Sequence, residues 1–176
     1  VSHSSRAGWF YGMLRDSKRL TALGRERWFD WLCKMQAGGT ISFAVTLVGP
    51  RVIDARGISM ATRLGVRCTL DKLALDASRC SVLLDGLLRA PRRFTDQRTI
   101  IRGDETEPLI ALASIVAKVT RDRAMIRLSR LFPAYGFDQH KGYGTRAHYA
   151  ALEASGTCPI HRIRFLPAAV AAGRNP

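Results

Sequence analysis

The sequence predicts an α/β domain. Three features carry that prediction: a segment with the two-residue period of a strand, a short apolar run ending in Asp-Gly, and apolar stripes of 3.6-residue spacing around them. From Ile41 to Val48, the residues Ile41, Phe43, Val45 and Leu47 alternate with Ser42, Ala44 and Thr46, and Gly49 and Pro50 close the run. Cys80 to Leu84 (CSVLL) is apolar along its length, as in a strand buried on both faces, and it puts Asp85 at the strand's carboxyl end. A shorter strand candidate, Thr99 to Arg102, leads into Gly103 and Asp104.

The helical stripes alternate with these segments. Thr21 suits a helix cap, Trp28, Leu32 and Met35 follow at i, i+4 and i+7, and Gly38 and Gly39 end the segment. Val66, Leu70 and Leu73 mark a second helix between Ile58 and Leu75. Pro108 suits the first turn of a third, whose stripe Leu112, Ile115, Val116 and Val119 continues into Ile126. Phe132 to Thr145 (FPAYGFDQHKGYGT) reads as an ordered loop, and Arg146 to Ala154 as a short helix. Residues 1–15 carry no assignable period and 168–176 are an Ala-biased tail, so 1–176 is expected to be a single domain.

With 28 basic against 14 acidic residues, the formal charge of +14 would draw polyanions to the surface. Nucleic acid is the first partner to consider, and an Arg-rich solvated surface is the alternative. The four cysteines are far apart, with no C-x-x-C pair and no secretory segment, which fits a reducing cytoplasm. No run approaches the roughly 18 apolar residues of a membrane-spanning helix, so a soluble protein is expected.

Several side chains stand where chemistry is done. Asp85, between a buried strand and a Gly turn, occupies a position suited to holding a catalytic metal, or it caps the turn through its backbone. Asp104 either shares such an ion or is an acidic approach to a helix amino terminus. Ser114, Lys118 and Arg121 share one helical face that suits phosphates and equally suits water. Lys141, Tyr143 and Thr145 lie in a Gly-punctuated loop where a ring packs either on a sugar or base or against the protein. His140, His148 and His161 lack metal-ligand spacing and are expected to make structural or polar contacts.

Taken in order, DSKRLT (Asp16 to Thr21), VIDARGISMATRLG (Val52 to Gly65), LLDG (Leu83 to Gly86), GDETEPLIALASIVAKVTRDRAM (Gly103 to Met125), YGFDQHKGYGTRAHYAAL (Tyr135 to Leu152) and HRIRFLP (His161 to Pro167) resemble the bacterial type 2 ribonucleases H. The resemblance implies a ribonuclease H-like mixed sheet with flanking helices. It also implies a cytoplasmic, monomeric endonuclease of DNA replication and repair. Such an enzyme hydrolyses the RNA strand of RNA/DNA hybrids and incises at ribonucleotides embedded in duplex DNA, using magnesium or manganese in a two-metal reaction. Asp85 and Asp104 match two of the family's four metal-binding, catalytic acids. Ser17, Lys18, Ser114 and Lys118 match backbone-contacting positions, and Tyr143 matches the tyrosine expected at the sugar of the cleavage site.

One departure is large. The family's first strand carries G-[IV]-D-E-x-G-R-G, with the other two acids and the segment that senses the ribose 2′-hydroxyl, and these 176 residues contain no such motif. The second strand has no counterpart either; VSHSSRAGWFYGMLR, without an acid, stands there. Ala55, Leu112 and Arg164 are smaller departures. The expectation is an amino-terminally shortened member lacking the first two strands, with impaired cleavage. The alternative is a non-catalytic binder of hybrids or other nucleic acid.

Overall fold

Thr21 starts the first helix, as the spacing predicts, by accepting a hydrogen bond on Oγ1 from the Gly24 N–H at 3.1 Å. In the computed structural model, which describes residues 20–168, the elements run α1 (Ala22–Ala37), α2 (Pro50–Arg56), α3 (Ile58–Leu73), β1 (Val82–Asp85), β2 (Gln97–Ile100), α4 (Gly103–Thr106), α5 (Pro108–Leu131), α6 (Phe137–His140) and α7 (Arg146–Ser155). Two compact units share these elements, one of 20–46 with 65–119 and one of 47–64 with 120–168. The predicted α/β class holds.

In the first unit, α1 buries Leu32 and packs Trp28 and Phe29 against Ala111, Ile115 and Val119 of α5. Ile115 and Val119 belong to the stripe that the sequence spacing marks, and Ala111 does not. The alternating run Ile41 to Val48 does not become a strand. Alternation supplies two faces, but a strand also needs a backbone ladder, and among the described residues none pairs with it. Side chains hold it instead: Lys72 Nζ donates to the Val45 carbonyl at 2.7 Å, and Thr69 and Thr46 join hydroxyls at 3.1 Å. Pro50, expected only to end that run, opens α2 at the first-turn position where its missing N–H costs nothing.

The strands β1 and β2 pair in parallel, Val82 opposite Gln97 and Asp85 opposite Ile100. The second strand lies two residues before its predicted place. Parallel partners need a connection long enough to return to the same end. Residues 86–96 provide it without a helix, fastened by Gln97, which accepts from the Ala90 N–H and donates to the Phe94 carbonyl, both at 2.9 Å. Leu84, Ala90 and Phe94 form the core beneath, with Val66 and Leu70 of α3 packed on it. Burial on both faces, expected along 80–84, holds for Leu84 alone. Among the described residues β1 has a strand neighbour on one edge only, so Val82 and Leu83 stay half-buried.

In the second unit, Asp54 of α2 clamps a short helical turn, Ile163–Phe165, by accepting from the Ile163 and Arg164 N–H groups, each at 3.0 Å. Its core is Tyr135, Phe137 and Leu152, flanked by Met125, Phe132 and Ile160. The expected loop 132–145 is indeed ordered, and it contains a turn at Pro133–Tyr135 and the short α6. Thr145 caps α7 by accepting from the His148 N–H at 3.2 Å.

Phe94 is fully buried. Phe94→Ala is expected to lower stability by about 3–5 kcal/mol in urea unfolding, and Leu88→Ala, a half-buried truncation in the same cluster, by clearly less.

Candidate active site

The end of β1 determines where the first carboxylate stands. Asp85 is the last residue of the strand and half-buried, and its Oδ1 accepts a hydrogen bond from the Gly103 N–H at 2.8 Å. That bond ties the strand to the start of α4. Asp104 is the next residue, half-buried in the first turn of α4, where the helix dipole favours an anion. It lies on this short helix rather than directly after a strand. Arg102 makes the turn between β2 and α4 in the left-handed region, at φ 56°, and its guanidinium meets Glu105 at 2.6 Å. A Cβ on Gly103 would stand 2.6 Å from Ile110 Cδ1 and 3.3 Å from Ile100 Cβ, so a larger residue there would push these isoleucines aside.

Ser114 and Lys118 follow on α5, one turn apart, Ser114 exposed and Lys118 half-buried. Arg121, expected in the same row, has another role. In the second unit its Nη2 donates to the Lys141 carbonyl at 2.9 Å, and its guanidinium lies 4.8 Å from the centre of the Tyr143 ring. Its Nη1 is buried without a hydrogen bond, 3.6 Å from Asp122 Oδ1. Tyr143 is 51% exposed, with one face of its ring toward this cation. Ser17 and Lys18 lie outside the described residues.

No regular element holds residues 141–145, and three buried imidazoles help to do so. The His140 Nε2–H donates to the Tyr135 carbonyl at 2.6 Å, leaving Nδ1 to accept from the Gly142 N–H at 3.1 Å. The His148 Nδ1–H donates to the Tyr143 carbonyl at 3.0 Å, leaving Nε2 bare. His161 Nδ1 accepts from the Cys158 N–H at 2.9 Å, so its Nε2–H points at His148 Nε2, 3.1 Å away. The rings stack at 4.5 and 5.3 Å between centroids, and Phe137 meets all three. The sequence reading of these histidines as structural or polar contacts holds, though nothing in their spacing revealed that they converge. Burial holds His148 and His161 below the ordinary histidine range, and burial likewise pushes the Cys158 thiol and the Tyr135 phenol up.

Asp85 and Asp104 offer hard oxygen donors of the kind magnesium and manganese take. They fit in kind and fall short in number. Among the described residues no three His, Cys, Asp or Glu side chains are grouped to hold a metal ion. Among those residues, too, no helix is long and apolar enough to cross a membrane.

The sequence that carries this arrangement is similar to known proteins. The family described as Ribonuclease HII matches residues 11–168. The chain belongs to that family. Among curated relatives, the Ribonuclease HII of Dichelobacter nodosus is 43% identical over 162 residues, covering 92% of this chain and 82% of its own. That of Polynucleobacter necessarius is 45% identical over 157 residues, covering 88% and 77%, and that of Caldicellulosiruptor bescii 41% over 153, covering 87% and 71%. Ribonuclease HII proteins are hydrolytic endoribonucleases, and this chain is by descent one of them.

Two predictions follow from the packing. Gly103→Ala is expected to destabilise by about 1–3 kcal/mol. Adding Ile110→Val, which removes the Cδ1 that the new methyl meets, should recover part of that loss in the same unfolding assay. Because His148 and His161 are held neutral, the folded state takes up their protons less readily than the unfolded chain. Their contribution is complete above pH ~6.5 and declines as pH falls from there through the lowered folded values. Thermal unfolding midpoints measured across that window should fall with pH, and less steeply in a His148→Asn variant.

Proposed function

We propose that this chain acts on the RNA strand of RNA/DNA hybrids and on ribonucleotides embedded in duplex DNA, with Asp85 and Asp104 as metal-binding, catalytic carboxylates. The observation that carries this reading is the Asp85–Gly103 hydrogen bond, which fixes the first carboxylate against the segment bearing the second. Ser114 and Lys118, with Ser17 and Lys18, serve as contacts to the sugar-phosphate backbone, and the outward face of Tyr143 serves the sugar at the cleavage site. The formal charge of +14 supports a nucleic-acid substrate, since basic side chains release counterions from phosphates on binding.

Magnesium or manganese is the metal this donor type suits. Two-metal hydrolysis requires several converging carboxylates. Asp85 and Asp104 supply only part of such a set, so cleavage by these 176 residues alone is expected to be slow or absent. We take residues 1–176 as a single domain. We take the protein as a cytoplasmic monomer with roles in replication and repair. The incomplete donor set also favours a second reading, a hybrid-binding protein without catalysis.

A fluorescently labelled RNA/DNA hybrid tests both readings. Binding is expected to weaken steeply as salt rises, with little or no cleavage in magnesium or manganese. Clear turnover abolished by Asp85→Asn would overturn the expected impairment. Binding indifferent to metal and to the double change Asp85→Asn and Asp104→Asn would favour the binder over the nuclease.

A further inference from the structure

We propose that His148, backed by His161 and His140, is a positioning residue that sets Tyr143 for its substrate contact, and that adding a proton to the His148–His161 pair loosens this hold. The proposal rests on the reading of Tyr143 as a substrate-contacting residue. Tyr143 stands 51% exposed on a loop without regular structure, at a place where side chains ordinarily move freely. Its backbone is nevertheless fixed on both sides of the peptide. The carbonyl accepts from His148 Nδ1 at 3.0 Å and from the Thr145 N–H at 2.8 Å, so His148 is its side-chain donor, and the amide donates to the His140 carbonyl at 2.9 Å. Gly142, in the left-handed region at φ 76°, donates to His140 Nδ1. The Tyr143 ring then lies over Arg121, which also holds the Lys141 carbonyl. An exposed ring is thus held through its main chain by groups that are themselves at least nine-tenths buried: His140 at 9%, His148 at 5% and His161 at 6% exposure.

The hydrogen-bond directions make the arrangement depend on charge. A carbonyl only accepts, so His148 must keep its proton on Nδ1 to hold Tyr143. The Cys158 N–H occupies His161 Nδ1, so the His161 proton sits on Nε2 and fills the space facing His148 Nε2. A further proton on the pair sets two N–H groups head to head across 3.1 Å, and relief requires His161 to turn its Nδ1–H toward the Cys158 carbonyl at 3.2 Å and give up the Cys158 amide. The titratable groups packed on the pair are His140, Cys158, the Tyr135 ring over His161 and the Tyr149 ring beside His148. On the Tyr143 side stands the cation Arg121. None of these named neighbours is a carboxylate that would compensate an added charge.

Two substitutions separate positioning from mere packing. The side-chain amide nitrogen of asparagine falls near the place of histidine Nδ1, and that of glutamine near Nε2. His148→Asn keeps a donor for the Tyr143 carbonyl, and His148→Gln removes it. Hydrogen exchange of the 141–145 amides in the free protein should be faster in His148→Gln than in His148→Asn. Hybrid affinity, read by anisotropy without metal, should fall about two- to tenfold in His148→Gln and stay near wild type in His148→Asn. Equal exchange at 141–145 in the two variants and wild type would overturn the proposal. Tyr143→Ala checks the underlying reading separately. If it leaves hybrid affinity unchanged, Tyr143 is not a substrate contact, while the exchange contrast still judges the positioning. Should either histidine variant fail to fold, the wild-type protein decides. Exchange of the 141–145 amides, corrected for its intrinsic pH dependence, should accelerate between pH ~7 and ~5 ahead of global unfolding, and a flat profile overturns the proposal.

Discussion

The hydrogen bond from the Gly103 amide to Asp85 is the constraint on which the candidate site depends. It fixes the rotamer of a carboxylate at the end of a parallel strand, and it fixes the distance between that strand and the turn that leads to Asp104. Ile110 and Ile100 pack into the space that a Cβ on Gly103 would enter, so the turn is packed tightly around the bond. A turn-capping carboxylate and a metal-binding one are therefore compatible at Asp85. One oxygen anchors the backbone and fixes the orientation of the group.

The second unit fixes its exposed side chain by other means. Around Tyr143 the fixed points are carbonyls and amides bound to imidazoles, and the imidazoles are held by stacking and by a phenylalanine that is only 1% exposed. Charge enters the two units differently as well. Asp85 and Asp104 are carboxylates in half-buried places, whereas burial disfavours a charge on His148 and His161.

Much of this was legible in the sequence, where a feature follows from local spacing. The Thr21 and Thr145 caps, the apolar stripe of α5 and the position of Asp85 at a strand end each depend on residues within a turn or two of one another. Features that depend on a distant partner were not legible. The alternation of Ile41 to Val48 announces two faces but cannot supply the ladder that makes a strand. Arg121 has the right spacing to continue the row of Ser114 and Lys118, yet the Lys141 carbonyl and the Tyr143 ring, 20 and 22 residues on, decide where it points. The three histidines are separated in sequence by enough chain that no spacing rule links them.

Asp54 joins the main chain at Ile163 and Arg164 across 109 and 110 residues. The unit it closes is written in two separate stretches of the sequence, with residues 65–119 of the other unit between them. Its completion must wait until the second stretch has been synthesised. Residues 65–119 carry the buried residues of the cores around Phe94 and Ile115, and both are complete in sequence before the amides that Asp54 binds. Closing so long a loop is slow and entropically costly. The loop that carries Tyr143 thus belongs to the unit whose two stretches are joined across the longest span of chain.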